Sequence, residues 1–431
     1  MNRRHFFLGA ASAVAAQSVI GANDRINLAI VGLGGRGNAH IDFYLKIPEA
    51  RITTLCDVNQ AALERAQTKI NRATSETPKG YKDMRDAFAD RNVDAVSMPV
   101  PNHWHALATI WACQAGKDVY IEKPASHNIF EGQQMVAAAR KYKRIVQVGS
   151  QSRSLDYKVR AMKLLHEGVI GNVYMAKGLC FKRRKSIGRM PDLQTPPPGI
   201  DWDFFLGPAP MRPYNELRFK YNWHWFWDTG NGDIGNQGVH EMDIARWGLG
   251  VGLPKTVVSN GGKYAYDDMQ ETPNTQLATF DYGDKQIVFE VRGLLTGPEG
   301  GLQIRGGNTI GNLFYGTEGW MAVDSHGFQV YKGETSEKIM DEKAEGEIWD
   351  TKPHMSNFIA ACRSRKHEDL HADIEAGTIS AAMCHLANTS YRLGGRKLTF
   401  DAAKMQYSND AEANRMLTRP YRKPYVVPLI G

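Results

Sequence analysis

Ile26-Asn27-Leu28-Ala29-Ile30-Val31-Gly32-Leu33-Gly34-Gly35-Arg36-Gly37 is the stretch that decides the fold. Ile26 to Val31 reads as a short apolar strand. The glycines follow at once, and a helical stretch runs on to about Lys46. A second strand, Arg51 to Cys56, ends on Asp57, about 20 residues past Gly37. A bare G-x-G-x-x-G says little. With a strand before it, a helix behind it and an acid at that distance, it marks a dinucleotide-binding turn. Gly32 permits the tight turn, Gly34 lets the backbone approach a pyrophosphate, and Gly37 allows close packing of helix on strand. Gly35 and Arg36 lie inside the same cradle, where the helix N-terminus offers free N–H groups to phosphate. Asp57 is placed to accept the ribose hydroxyls, and a carboxylate there repels a 2′-phosphate. NAD is therefore expected in preference to NADP.

Outward from this turn, strands and helices alternate. Val93 to Met98, Asp118 to Ile121 and Ile145 to Val148 read as strands, and Trp104 to Ala115 and Phe130 to Tyr142 as helices. Short apolar strands separated by helices predict a parallel sheet covered on both faces. Ligands of such sheets lie beyond the carboxyl ends of the strands. That rule brings Pro101, Asn102 and His105 of one segment, and Glu122 and Lys123 of another, to the cofactor.

The glycine loop, the Pro-Asn-x-x-His segment ending at His105 and Glu122-Lys123-Pro124 together resemble the Gfo/Idh/MocA family of oxidoreductases. The resemblance covers the chain from the glycine loop onward. It implies an α/β N-terminal Rossmann domain with a parallel sheet (23–150) and an α+β C-terminal domain (151–400), with 401–431 as an extension. After about Ser150 the alternation indeed stops. Short amphipathic strands at 173–181, 255–264, 275–282, 286–291, 313–315 and 320–323 predict a large, mostly antiparallel open sheet. Helical stretches follow at 354–364 and 374–393. The resemblance places oligomer contacts on the open face of this sheet, as a homodimer or homotetramer, and a sugar or polyol cleft on the other.

Residues 191–213 are proline-rich, and 202–227 carry four tryptophans among six other aromatic rings. Aromatic faces suit the apolar faces of sugar rings, so Tyr214, Arg218 and Trp225 are expected substrate contacts. Arg212 and His224 are further candidates. The stretch Gly230 to Asp243 then resembles the family's loop and helix that carry a catalytic Asp and, four residues on, a His. His240 matches the histidine. Asn236 stands where the aspartate belongs, and an amide orients a hydroxyl without storing a proton. Either Lys123 and His240 handle the proton without a carboxylate, or Asp233 or Asp243 substitutes; Asp243 lies one helical turn past His240. Lys123 is the expected base, its amine brought toward neutrality by desolvation and a neighbouring cation. His103 and His105 flank Trp104 without a clear third ligand, so no metal is expected.

A net charge of +7 is spread over scattered residues, and no basic stripe or recognition motif points to nucleic acid. Five widely spaced cysteines give no disulfide framework. Arg3-Arg4-His5-Phe6-Phe7-Leu8, with small apolar residues to about Ala22, resembles a twin-arginine export signal (1–22) and predicts a periplasmic or otherwise exported protein. No membrane span is expected in the mature chain. A protein exported with its NAD has no pool from which to exchange it. A redox-neutral use of retained NAD, by a glycoside hydrolase, lyase or epimerase, is therefore an alternative to net oxidation. A non-catalytic sugar-binding protein is a third reading, which Asn236 favours.

Overall fold

A computed structural model describes residues 25–193, 195–302, 307–345 and 350–431. The expected export signal around Arg3 and Arg4 lies outside them. Strands β1 (Ile26–Val31), β2 (Ala50–Cys56), β3 (Lys79–Tyr81), β4 (Ala95–Met98), β5 (Asp118–Ile121) and β6 (Val146–Val148) pair in parallel in the order β3-β2-β1-β4-β5-β6. Helices α1 (Gly35–Tyr44), α2 (Gln60–Thr74), α3 (Met84–Ala89), α4 (His105–Gln114) and α5 (Ile129–Lys141) connect them. Leu28, Ala29 and Ile30 are wholly buried, as a strand covered on both faces requires. Each large apolar side chain so buried stabilises the fold by about 1.5–3 kcal/mol.

The second half opens with α6 (Asp156–His166), β7 (Val173–Phe181), α7 (Trp202–Leu206), α8 (Gly232–Asn236) and α9 (Gly238–Leu249). Strands β8 (Thr256–Gly262), β9 (Thr275–Asp281), β10 (Gln286–Arg292), β11 (Thr309–Gly316), β12 (Gly319–Val323), β13 (Gly327–Lys332) and β14 (Glu337–Lys343) come next. Then follow α10 (Lys352–Ser364), α11 (Ile374–Arg392), β15 (Leu398–Asp401) and β16 (Gln406–Tyr407). The sheet runs β14-β13-β12-β11-β7-β10-β9-β8-β15-β16. Every pair is antiparallel except β7 with β10. Helix α9 lies tight on it: a Cβ on Gly248 would come within 2.4 Å of the Phe314 ring, and one on Gly238 within 3.0 Å of Phe289. Glycine at both positions lets α9 seat its polar residues over the sheet.

Helix α10 of the second half packs back on the nucleotide half. Met355, Phe358 and Ile359 of α10 pack with Leu28, Ile30 and Tyr44 of the nucleotide half. The extension from 401 onward also packs on both halves. β16 pairs with β15, and Tyr425 and Val427 are buried beside Trp104 and Phe204. Among the described residues no helix is long and apolar enough to cross a membrane.

Candidate active site

A cleft of about 1260 Å³ runs from the glycine loop to the floor of the large sheet. At one end Gly32 has φ +92°, and a Cβ there would stand 3.0 Å from the Pro99 carbonyl. A Cβ on Gly37 would lie 2.0 Å from the Gly32 carbonyl oxygen. Gly34 and Gly35, by contrast, face open space with nothing within 4 Å, and no side chain caps α1. An uncapped helix start over an open glycine face fits a pyrophosphate. Asp57 sits at the end of β2, its carboxylate accepting from the backbone N–H of Leu33 and, at 2.7 Å, of Asn59. Burial raises its pKa, against those two bonds. Gly32, Gly34, Gly35, Arg36 and Asp57 all line this end, with Pro101 beside them.

Glu122 follows β5 and is buried. It accepts from Arg36 Nε at 2.7 Å, from Gln151 Nε2 at 3.2 Å and from the Lys123 backbone N–H at 3.3 Å, and it meets His40 Nε2 at 3.0 Å. Burial alone would raise this carboxyl; Arg36, His40 and Lys123 outweigh it and hold Glu122 well below the usual range. The next residue carries the amine. Lys123 Nζ donates to the Asn236 carbonyl at 2.9 Å and to Asn236 Oδ1 at 3.3 Å. Desolvation brings it down to about 8, helped by Arg36 and Lys182 and opposed by Glu122. A neutral amine is thus available just above neutral pH.

Asn236 is held from two sides. Its Oδ1 faces the Lys123 ammonium, while its Nδ2 donates to the Tyr221 hydroxyl at 3.0 Å and to Asp233 Oδ1 at 3.3 Å. Asp233 is itself gripped by Arg184 through two bonds of 2.8 and 2.7 Å. Arg184 Nη1 also reaches the Tyr221 hydroxyl at 3.1 Å. Two donors therefore occupy the lone pairs of that phenol, and its own O–H is left to the cleft. His240, on α9, lines the cleft with no hydrogen bond to its ring among the described residues. Desolvation, then Lys123, holds its pKa well below the ordinary value, so the ring is neutral.

Several expected site residues lie elsewhere. Tyr214 is buried in a cluster with Trp202, Phe205 and Phe219. Trp225 is buried beneath the Arg184 guanidinium, 5.1 Å from its ring centre. Arg218 pairs with Glu271 and covers the Phe226 ring at 4.0 Å. None of the three lines the cleft; Tyr221, Trp223 and His224 do. Asp243 points away from His240 into a buried pair with Arg153, bonded at 2.7 and 3.0 Å, and with Ser380. Arg153 and then Arg246 keep it ionised against burial. Asp243 therefore does not replace the missing carboxylate. Asn102 Nδ2 donates to the Pro124 carbonyl at 3.1 Å. His105 bridges the Pro124 and Val100 carbonyls at 2.7 and 2.9 Å. They brace the loop behind Lys123 rather than face the cleft or cap α4, which has no side-chain cap. Sequence reasoning missed Tyr221, Lys158, Lys182 and Glu241 as cleft residues; only Tyr221 had a signal, its place in the aromatic run.

A profile described as an oxidoreductase family with an NAD-binding Rossmann fold matches residues 26–150. One described as the C-terminal alpha/beta domain of an oxidoreductase family matches 157–280 and 319–427. Among curated relatives, a glycosyl hydrolase family 109 protein of Saccharopolyspora erythraea is 29% identical over 162 residues, 36% of this chain and 35% of that protein. An inositol 2-dehydrogenase of Salmonella agona is 28% identical over 169 residues, 39% of this chain and 48% of its own. The chain thus matches between a third and a half of the length of these two relatives. The WlbA dehydrogenase of Chromobacterium violaceum, solved with NADH and UDP-GlcNAcA, covers 88% of this chain and 97% of its own at TM-score 0.66 and 21% identity. At that identity the likeness is one of fold.

Proposed function

The chain belongs to the Gfo/Idh/MocA family of oxidoreductases, and from that premise we propose that it oxidises a secondary hydroxyl of a sugar or polyol, using an NAD that it keeps bound. The observation that carries this reading is the Lys123 amine, brought down to about 8 and facing the same cleft as the open glycine loop. A bound nicotinamide supplies the hydride acceptor. The chain's own residues do the rest. Neutral Lys123 takes the hydroxyl proton as the C–H bond weakens. Asn236 fixes the amine through two bonds, and Tyr221 and His240 offer a donor and an acceptor to neighbouring hydroxyls. Trp223, with His224 stacked on it at 3.5 Å, gives a flat apolar wall to a sugar ring.

Asp57 supports NAD over NADP by repelling a 2′-phosphate. Arg3-Arg4 supports export by the twin-arginine route with the cofactor already loaded. Exposed Tyr174 and Leu277, on β7 and β9, support a homo-oligomer built on the open sheet face. The test is to denature the purified protein and weigh what it releases, then to add inositols, aldoses and glycosides to the native form. NAD in the released fraction, with growth of the reduced-nicotinamide absorbance on one of these compounds, is the expected result. Nucleotide-free protein that neither takes up NAD nor reduces it with any of them would overturn the reading.

A further inference from the structure

Beyond Lys123 the cleft holds a second group of ionisable side chains: Lys158 of α6, Lys182 just past β7 and Glu241 of α9. Glu241 is only 6% exposed. Its Oε1 accepts one long bond, from Gln237 Nε2 at 3.3 Å, and its Oε2 is buried without a partner among the described residues. The surroundings are nonetheless fixed. Lys182 Nζ donates to Gln237 Oε1 at 2.7 Å, and Asn312 Nδ2 donates to the Glu241 carbonyl at 2.8 Å. A buried carboxyl oxygen with no donor is costly, and Glu241 is one of the residues that line the cleft. This group is electrically joined to the first one. Lys182 acts on both Lys123 and Glu241, and His240 feels both Lys123 and Lys158. Burial pushes Glu241 up to about 7, against the pull of Lys158. A simple hydroxyl oxidation needs one base, which Lys123 supplies, and leaves Glu241 without a task.

We propose that Glu241 is a second proton acceptor, taking the proton from the carbon beside a sugar carbonyl held in this cleft. The proposal rests on the sugar-cleft reading above. The C–H bond breaks and its proton passes to the Glu241 carboxylate. The electron pair forms the C=C bond of an enolate, whose charge falls on the former carbonyl oxygen, within reach of protonated Lys123. No electrons leave the sugar. Return of the proton from either face gives the ketone or its epimer. Departure of an alkoxide from the next carbon, with its C–O bond broken and a proton taken from the Lys158 ammonium, gives elimination. The substrate class is thus a pyranoside carrying a ring ketone.

The test needs no added nucleotide. The full chain is held in D2O with methyl α- and β-D-glucopyranosides and galactopyranosides bearing a ketone at C2, C3 or C4, and mass spectrometry counts the deuterium gained. The native protein is expected to speed exchange at one carbon beside the carbonyl at least 100-fold over buffer. Glu241→Gln should bring it to within tenfold of buffer. Glu241→Asp, which keeps the acid on a shorter stem, should fall between. The infrared band of one protonated carboxyl, lost in Glu241→Gln, reports the same group without any sugar. No acceleration with any ketone, or full exchange in Glu241→Gln, overturns the proposal. Exchange that persists where nicotinamide reduction fails would sink the oxidation reading and leave this one standing.

Discussion

Glu122 and Glu241 face the same cleft with almost equal burial, 5% and 6% exposed, and their acidities are pushed in opposite directions. Burial raises both. Glu122 meets Arg36, His40 and two further donors, and is held well below the usual carboxylate range. Glu241 has one long amide bond and an unpartnered oxygen, and is pushed up to about 7. Desolvation sets the size of the problem, and the partners decide its sign. The consequence reaches Lys123, the next residue after Glu122. Fixed negative charge on Glu122 opposes the loss of the Lys123 proton, and only burial with Arg36 and Lys182 keeps that amine near 8.

The largest effect expected is at Lys123. If its amine is the base, Lys123→Ala should lower the rate of hydroxyl oxidation by roughly 10²–10⁴ while NAD stays bound. Stopped-flow nicotinamide absorbance and nucleotide content after gel filtration check both halves. A variant that loses its nucleotide would show Lys123 to be a cofactor anchor instead. Next comes the glutamate pair itself, read as stability against pH by urea unfolding. The folded pKa of Glu241 lies above its unfolded value. As pH rises from about 4.5 to about 7 the unfolded chain gives up that proton first, so Glu241 makes stability fall across this window. Glu241→Gln should therefore gain on the native protein there, by about 1–3 kcal/mol at the upper end. Glu122, with its folded pKa depressed, contributes stability above its unfolded pKa and loses it as pH falls through the folded value. Glu122→Gln should cost most above about pH 5, with the gap closing toward acid. Parallel curves for the two variants would break the contrast.

What the sequence made legible was whatever a single strand–turn–helix or strand end fixes by itself. The glycine turn, Asp57 and Glu122-Lys123 are of this kind, because chain spacing alone sets their places; the helix of His240 was legible through the family resemblance. Glu241 and its lysines are not. Lys158, Lys182 and Glu241 come from α6, the end of β7 and α9, and meet only after the sheet has folded. The aromatic run was visible as composition, but nothing in it says that Tyr214 and Trp225 turn inward while Tyr221 and Trp223 turn to the cleft. Asp243 misleads for a similar reason. One turn past His240 is close along the helix, yet Arg153 lies before α6 and draws the carboxylate to the other side. Strand β14 escaped notice because its largely exposed sequence, Glu337 to Lys343, is mostly charged and shows no apolar alternation.

The smallest effect expected is the most informative about Asn236. Asp233 Oδ1 lies 3.3 Å from Asn236 Nδ2, so a carboxylate at 236 would set two like charges in contact, with Arg184 already committed to the first. An amide avoids that repulsion and still gives Lys123 an oxygen. Asn236→Asp adds a negative charge beside the Lys123 ammonium and stabilises the protonated form. Because oxidation needs the neutral amine, the native rate should climb through about pH 8 and level off above it. In Asn236→Asp that limb should move to higher pH by roughly one unit, a tenfold loss at neutral pH that vanishes on the alkaline plateau. The pH profile of kcat/KM distinguishes this from a damaged site, which would lose rate at every pH. An unshifted limb would mean that Asp233 and the new carboxyl share a proton, leaving the charge around Lys123 as it is now.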